Sequence, residues 1–285
     1  MKKTVLFGAG QVGAMVSRLL GQDYRAVCFA DNSEVKWGQK LAGLPILSPE
    51  ESLTHRPDCV CLCALDPERA AQMESQLRSL GYDGPLLNPG ALRIFDARAA
   101  TMRMLAEQIA ELGIQGCAAE LGVYRGEFAA LINAALPDRP LHLFDTFEGF
   151  QERDLARERN LELSGARAGD FSGTSEIEVR RNLPFPQNAV FHPGWFPDTF
   201  HGCEELRFAF VSIDADLYDP TAAALPLFWE RLCPGGALLI HDVYSGQFKG
   251  AGLALREFCA SRSILATPIC DLHGSALLRK PLPEL

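Results

Sequence analysis

Ten residues from Phe210 to Asp219, FVSIDADLYD, combine an apolar run with three carboxylates. The apolar half is typical of a buried parallel strand, and the acids Asp214, Asp216 and Asp219 follow where such a strand would end. In an open α/β sheet, ligands bind beyond the carboxyl ends of the strands. Burying unpaired carboxylates is costly, so these acids are predicted either to hold a cation or to contact polar groups of a ligand.

Another acid, Asp145, ends the apolar run of a different segment, LHLFDTFEGF. One strand-helix-strand unit earlier, AAELGVYRGEF contains a strand that ends at Glu120 and a turn with Gly122 and Gly126. Glycines let a ligand lie against the backbone, and an acid at the next strand end can accept hydrogen bonds from both hydroxyls of a ribose. These two strands are therefore predicted to form an adenosine-binding half-site.

The elements that must position these residues form an α/β pattern. Further strand ends are predicted in NAVFHPGWF and GGALLIHDVY, and ILATPIC and SALLRKP are predicted to form a final pair of strands. The spacing predicts a doubly wound sheet of about seven strands with helices between them and a terminal hairpin. Residues 96 to 112 have apolar positions at helical spacing and no Gly or Pro, and they predict a connecting helix before this sheet.

Near the N-terminus, TVLFGAGQVG is an apolar strand followed by Gly8, Gly10 and Gly13 in the G-x-G-x-x-G spacing. Such glycines permit a tight turn and a close approach of the backbone to a phosphate at a helix N-terminus. The next apolar stretch ends at Asp31, near the position where a dinucleotide-binding unit carries its ribose-binding acid. The alternative is that these glycines only tighten a strand-to-helix turn in a domain without a ligand.

Composition limits the class of protein. A length of 285 residues is enough for two domains of ordinary size. The chain is 47% hydrophobic and 22% charged, which is typical of a soluble globular protein, and no apolar run is long enough to span a membrane. A formal net charge of -9 argues against nucleic-acid binding. The N-terminal apolar run is interrupted by glycines, so it is interpreted as a first strand rather than a secretory signal, and the chain is expected in the cytoplasm.

The segment FADNSEVKWGQKLAGLPILSPEES resembles the N-terminal Rossmann-like domain of sugar-modifying enzymes of bacterial polysaccharide synthesis. The resemblance covers roughly residues 1–95 and implies a nucleotide or nucleotide-sugar pocket near Gly8, Gly10, Gly13 and Asp31. It does not imply hydride transfer, because no Tyr-x-x-x-Lys pair follows the glycine turn.

Four motifs of the remaining chain, residues 96–285, resemble the macrocin O-methyltransferase family (TylF/MycF type). In order, they are AELGVYRGEFAALI, LFDTFEGF, PGWFPDTF and FVSIDADLYDPTAAALPLFWERLCPGGALLIHDVY. The resemblance implies a class I methyltransferase fold with S-adenosylmethionine as cofactor and a hydroxyl group of a sugar-containing or other natural-product molecule as acceptor. It is also compatible with a homo-oligomer.

The same resemblance assigns roles to the residues that match its motifs. The methionine and ribose portion of the cofactor would lie against Glu120, Gly122, Tyr124 and Gly126, the ribose hydroxyls near Asp145, Thr146 and Phe147, the adenine near Trp195 and Phe196, and the methyl group near Asp214. Two alternatives stay open, because Trp195 could simply pack in the core and Asp145 could cap a helix.

The family is expected to bind a metal ion through the first acid of I-D-x-D-L-Y and a later acidic pair. Here the first acid is Asp214, but the pair reads His241-Asp242. Magnesium prefers oxygen ligands, whereas imidazole suits zinc, iron or manganese. Two hypotheses follow: Asp214, His241 and Asp242 hold a divalent metal that activates the acceptor hydroxyl, or a neutral His241 is the general base without a metal.

Three further alternatives concern the charged segment and the function. The charged residues between Phe150 and Ser172 are either a lid over the acceptor or a solvated helix and loop. An NAD-linked oxidoreductase or epimerase could act through the N-terminal domain. Alternatively, the chain could be a non-catalytic sugar-nucleotide-binding module whose methyltransferase half has decayed.

Overall fold

The computed structural model describes residues 1–21, 23–92 and 96–282. Internal contacts divide the chain into two compact units. The first contains Met1–Asp96 together with Cys270–His273, and the second contains Ala97–Ile269 together with the chain from Gly274 onward. Within the described ranges, no helix combines the length and the apolar character needed to cross a lipid bilayer.

The first unit is built on a six-stranded sheet with helices that follow individual strands. Its strands are β1 (Lys2–Phe7), β2 (Tyr24–Ala30), β3 (Lys40–Leu41), β4 (Leu44–Leu47), β5 (Cys59–Leu62) and β6 (Leu86–Leu87), in the order β3-β4-β2-β1-β5-β6. Its helices are α1 (Gln11–Leu19), α2 (Pro49–Leu53) and α3 (Pro67–Ser79). All described pairs are parallel except β3 with β4. The N-terminal apolar run is therefore a first strand, as predicted.

The second unit is built on a seven-stranded sheet. Its helices are α4 (Ala97–Glu111), α5 (Glu127–Ala135), α6 (Glu152–Asn160), α7 (Glu176–Asn182), α8 (Tyr218–Arg231) and α9 (Lys249–Arg262). Its strands are β7 (Cys117–Leu121), β8 (Leu141–Asp145), β9 (Ala189–Pro193), β10 (Phe208–Ile213), β11 (Leu232–Ile240), β12 (Thr267–Ile269) and β13 (Ser275–Arg279), in the order β12-β13-β11-β10-β7-β8-β9. The strand number and the terminal antiparallel hairpin predicted from the sequence are confirmed.

Helices cover both faces of the second sheet, which is why β10 is apolar except for Ser212. All six of its residues are buried, as expected for a central parallel strand. Its side chains divide between two clusters: Phe208 and Val211 pack with Phe228 of α8, whereas Phe210 packs on the opposite face with Met102 of α4. This rigid central strand fixes the position at which Asp214 leaves the sheet.

Candidate active site

The strand order of the second sheet reverses between β7 and β10, and a crevice forms at such a point. The Asp214 amide donates to the Leu121 carbonyl at 2.8 Å, which joins the ends of the two strands. Gly122 follows with φ +82°, and a Cβ there would lie 1.9 Å from the Asp214 carbonyl oxygen. Only glycine therefore allows the turn after β7 to pass this close to the exit of β10.

Asp145, at the end of β8, organises the turn that follows β7. Its Oδ2 accepts hydrogen bonds from the amides of Val123 at 2.7 Å and Tyr124 at 2.8 Å, and its Oδ1 accepts from the Phe147 amide at 2.8 Å. A carboxylate has about four acceptor sites, so these bonds leave room for a ligand hydroxyl. The helix N-cap alternative does not apply, because the bonded amides lie in loops outside α5 and α6.

The side-chain carboxyl group of Glu120 lies buried on β7. The residue is 1% exposed, and its Oε2 has no hydrogen-bond partner among the described residues. Burial raises the pKa of Glu120 well above its usual range, although the nearby charge of Arg98 acts in the opposite direction. Because buried polar atoms are rarely left unpaired, Oε2 is suited to receive a donor from a ligand.

His241, at the start of the loop after β11, lies between two carboxylates. Its Nδ1 is 2.9 Å from Asp214 Oδ1 and 3.0 Å from Asp242 Oδ2. Burial by itself would lower the pKa of His241, but the two carboxylates outweigh burial and raise it to about 10. The ring is therefore protonated near pH 7 and Nδ1 donates to both acids. This arrangement favours a donor role for His241 over the role of a neutral base, and sequence alone did not reveal how close the two acids are.

Arg98 completes the charge pattern, and the sequence did not single it out. Its Nη1 donates to Asp214 Oδ2 at 2.9 Å, and its Nη2 donates to Ser212 Oγ at 3.1 Å. The guanidinium also lies 3.8 Å from the ring centre of Phe128, in a cation–π contact. Burial raises the pKa of Asp214, but His241 and Arg98 outweigh burial and lower it.

The fit of a metal ion can be tested on these contacts. Ligand atoms of Asp214, His241 and Asp242 lie within 4.8 Å of one another, which is close enough to share an ion. However, both oxygens of Asp214 already accept from nitrogen donors, and Nδ1 of His241 is itself a donor. Two unit charges about 4 Å apart interact by about 4 kcal/mol at an effective dielectric of about 20. A divalent ion carries two charges, so its repulsion from a positively charged side chain at that distance would be about twice as large. The residues present therefore do not fit a magnesium ion.

The other two acids of FVSIDADLYD separate after β10. Burial, followed by the charges of Asp214 and Asp242, raises the pKa of Asp216 well above its usual range, so Asp216 belongs to the same partly buried acid cluster. Asp219 instead lies in the first turn of α8 and pairs with Arg157 at 2.8 Å, where both side chains are partly exposed. Only part of the predicted acidic stretch thus faces the candidate site.

Similarity to known proteins covers most of the chain. The family model described as Macrocin-O-methyltransferase (TylF) matches residues 61–278. The chain belongs to the macrocin O-methyltransferase (TylF) family. It is therefore an enzyme of the methyltransferase class, and this membership favours O-methyl transfer over the oxidoreductase and non-catalytic alternatives.

Individual relatives of this TylF-family protein act on natural products. A tetracenomycin-C 4'-O-methyltransferase of Streptomyces olivaceus, whose substrate name includes a dimethoxy-rhamnosyl group, is 29% identical over 212 residues, covering 70% of this chain and 78% of the relative. Demethyldecarbamoylnovobiocin O-methyltransferase of Streptomyces niveus is 27% identical over 186 residues, covering 61% of this chain and 70% of that one. The solved structure of the O-methyltransferase NovP has a TM-score of 0.55 at 26% identity and covers 65% of this chain and 80% of its own.

The aromatic residues of PGWFPDTF lie in two environments of the TylF-family domain. Phe196 is 4% exposed and packs against Phe144 and Phe228 in the aromatic core, so its prediction as an adenine contact is corrected. Trp195 is not core, because its Nε1 donates to Asp154 Oδ1 at 2.5 Å and the Arg153 guanidinium lies 4.3 Å from its ring centre. Sequence spacing could not distinguish these neighbouring rings.

The remaining predicted cofactor residues lie in the loops after β7 and β8. Gly126 has φ +79° at the N-cap of α5, and a Cβ there would lie 2.7 Å from a Val179 methyl group. Tyr124 is 37% exposed and can face a ligand. Thr146 Oγ1 donates to the Gly149 carbonyl at 3.1 Å and fixes the turn that follows Asp145.

The charged segment between Phe150 and Ser172 is anchored by α6. Glu158 is 1% exposed, and it accepts hydrogen bonds from Ser164 Oγ at 2.7 Å and from the Tyr218 amide at 2.8 Å. Leu217 gives α8 no side-chain cap, so Glu158 supplies the acceptor for the first turn of that helix. The segment is therefore not a simple solvated helix, because its inner face is tied to α8.

Residues 1–60 lie outside the family match and include the glycine turn between β1 and α1. Gly8 has φ +110°, and a Cβ on Gly13 would lie 2.1 Å from the Gly8 carbonyl oxygen, so the fold requires glycine at both positions. At Gly10 a Cβ would meet nothing within 4 Å, and its φ of -123° suits any residue. Packing within the described chain thus leaves the glycine at position 10 unexplained.

Asp31 directly follows β2, beside this turn. Its Oδ2 accepts from the Ala9 amide at 2.8 Å and from Lys36 Nζ at 2.9 Å, and its Oδ1 accepts from the Ser33 amide at 2.9 Å. Burial by itself raises the pKa of Asp31, but these donors outweigh it and lower the pKa. The sequence singled out Asp31 but not Lys36, whose charge would lie next to any ligand at this turn.

Proposed function

We propose that this chain transfers the methyl group of S-adenosylmethionine to a hydroxyl group of a sugar-containing or other natural-product acceptor. The family membership and the substrates named for its relatives support the reaction class. The observation that carries the cofactor assignment is Glu120, whose buried Oε2 lacks a partner next to a glycine turn at the switch point of the sheet. The ammonium group of the cofactor's methionine portion would supply that partner.

The proposed cofactor contacts follow from the positions of the side chains. Glu120, Gly122, Tyr124 and Gly126 would line the methionine and ribose portion, and Asp145, Thr146 and Phe147 would hold the ribose side. Trp195 remains the candidate for adenine, since its ring is fixed by Asp154 rather than buried in the core. Asp214 lies where the end of β10 meets the turn after β7, and this position supports its assignment to the reacting end of the cofactor.

The proposed chemistry is an in-line displacement at the methyl carbon. The bond from carbon to the acceptor oxygen forms while the bond to sulfur breaks, and the electron pair stays on sulfur. Positioning accounts for much of the rate in such a reaction, and removal of the acceptor proton assists it. We assign that proton to the Asp242 carboxylate, which His241 holds in place together with Asp214.

Calorimetric titration with S-adenosylhomocysteine tests the cofactor assignment directly. Binding in the micromolar range is expected, with no comparable binding of NAD⁺. Product formation is then measured over a panel of glycosylated natural products and nucleotide sugars as acceptors. A chain that did not bind S-adenosylhomocysteine at all would overturn the proposed function.

We further propose that residues 1–95 form an accessory domain that binds a nucleotide or nucleotide sugar, ahead of a methyltransferase domain at residues 96–285. Gly10 supports this, because a close ligand would explain a glycine that packing does not require. Gly10→Ala should weaken binding of nucleotide sugars without loss of stability, whereas Gly13→Ala should destabilise the unit. Unchanged binding in Gly10→Ala would favour a turn without a ligand.

A further inference from the structure

Asp214 is held from both sides by nitrogen donors. His241 Nδ1 lies 2.9 Å from Oδ1, and Arg98 Nη1 lies 2.9 Å from Oδ2. Nδ1 also lies 3.0 Å from Asp242 Oδ2. A nitrogen placed between two carboxylate oxygens acts as a hydrogen-bond donor, because its lone pair would face negative charge on both sides. Both carboxylate oxygens of Asp214 therefore already face a nitrogen donor.

Arg98 is fixed in this position by more than its ion pair. The guanidinium donates to Ser212 Oγ at 3.1 Å, covers the ring of Phe128 at 3.8 Å, and has a side chain that is 11% exposed. A guanidinium cannot lose its proton in a protein, so this positive charge is permanent. To leave this position, Arg98 would have to give up contacts with three residues, Asp214, Ser212 and Phe128.

We propose that Arg98 and His241 together take the place of a divalent metal ion in this active site. Arg98 binds Asp214 and Nδ1 of His241 lies between Asp214 and Asp242, so these two side chains fix the direction in which the carboxylates point. This inference rests on the proposed methyltransferase function. Arg98 is then a positioning residue, since it touches Asp214 rather than the reacting atoms.

The reaction balances without an ion. Sulfur receives the electron pair of the broken carbon–sulfur bond and becomes neutral, so the positive charge of the cofactor disappears during transfer. The acceptor oxygen gains the methyl group and loses its proton to Asp242. Arg98 and His241 keep their protons throughout and stabilise the carboxylates before and after the step.

The test measures ion binding and cofactor binding separately, with Mn²⁺ as the probe ion. Electron paramagnetic resonance follows free Mn²⁺ during titration of the full chain, and calorimetry gives the affinity for S-adenosylhomocysteine with EDTA or with Mn²⁺. The variants are His241→Asp, which restores an acidic pair, and the same change combined with Arg98→Gln or with Arg98→Lys. Arg98→Lys is the matched control because it keeps the charge.

The wild-type chain is expected to bind S-adenosylhomocysteine equally well with EDTA and with Mn²⁺. It should bind little Mn²⁺ at ion concentrations up to about 1 mM. Arg98→Gln/His241→Asp should bind Mn²⁺ at least about tenfold more tightly, and Arg98→Lys/His241→Asp should not. Adding Asp214→Asn to the first double variant should abolish the gain.

Tight Mn²⁺ binding by the wild-type chain, with a Kd below about 100 µM that Asp214→Asn weakens, would overturn the inference while leaving the proposed function intact. Because the wild-type titration decides this alone, the test does not depend on whether every variant folds. If the wild-type chain did not bind S-adenosylhomocysteine, the proposed function itself would be overturned instead.

Discussion

Asp31 and Asp145 hold equivalent positions in the two units. Asp31 directly follows the second strand of its unit, and Asp145 is the last residue of the second strand of the other. Each accepts a hydrogen bond from a backbone amide 22 residues earlier, in the turn after the first strand. The donors are Ala9 at 2.8 Å and Val123 at 2.7 Å. The same local device thus shapes both glycine turns, and the two acids provide matched variants for separating the roles of the units.

Asp145→Asn is expected to weaken binding of S-adenosylhomocysteine by about tenfold or more, which corresponds to about 1.4 kcal/mol. The side-chain amide of the variant would place N–H groups opposite the backbone N–H groups that donate to the carboxylate in the wild type. The turn after β7 would therefore lose hydrogen bonds that fix it. Calorimetric titration measures the loss. Asp31→Asn is the control, and it should change this affinity by less than about twofold. Equal affinity in Asp145→Asn and the wild type would remove Asp145 from the cofactor site.

Glu120→Gln is expected to abolish proton release on cofactor binding. Burial raises the pKa of Glu120, so the free enzyme retains a proton that an approaching ammonium group should expel. Calorimetry in two buffers with different ionisation enthalpies measures the released protons as a difference in binding enthalpy. The wild type should show that difference and the variant should not. A wild-type enthalpy that is independent of the buffer would contradict the assignment of the ammonium to Glu120.

Glu158→Ala is expected to destabilise the second unit by about 2 kcal/mol or more, because it leaves the Tyr218 amide at the start of α8 without its acceptor. Urea unfolding measures the change. Glu152→Ala serves as the control, since Glu152 lies on the same helix and only pairs with Arg159 at the surface. Little change is expected there. Equal effects in both variants would argue that α6 contributes nothing specific to α8.

Stability should fall as the pH drops from about 6.5 toward 4, because of His142. Burial, followed by the charge of His192, lowers the pKa of His142 to about 4. The unfolded chain therefore binds more protons than the folded chain in this window, and the cost is about 1 kcal/mol per pH unit. His142→Asn should reduce the slope measured by urea unfolding, whereas the exposed His201→Gln should not. An unchanged slope in His142→Asn would assign the effect to other groups.

Apolar runs and the residues that end them predicted most of the strand ends, including those of β8 and β10. These signals are local, so they survive without knowledge of the tertiary structure. Asp145 and Asp214 were found in this way. The motif resemblance then added Glu120 and the roles of the loop residues, which spacing alone could not assign.

Contacts between distant parts of the chain escaped prediction. Arg98 lies 116 residues before Asp214, in a helix whose periodicity identifies only its apolar face. Glu158 belongs to a charged run that is typical of a solvated surface, yet the register of α6 buries it. Phe196 matched a motif, but aromatic packing with residues from three other elements determines its direction. In each case the deciding neighbour is remote in sequence.

Arg98 is the second residue of α4, just after Asp96, where the first compact unit ends. The start of the second unit therefore carries part of the charge pattern of the candidate active site. In a gene fusion or recombination event, a crossover before residue 98 keeps the arginine with its acidic partner, and a crossover after it replaces the arginine with whatever the incoming segment encodes. Exchange of the N-terminal unit between relatives can thus alter the chemistry of the other unit through a single codon.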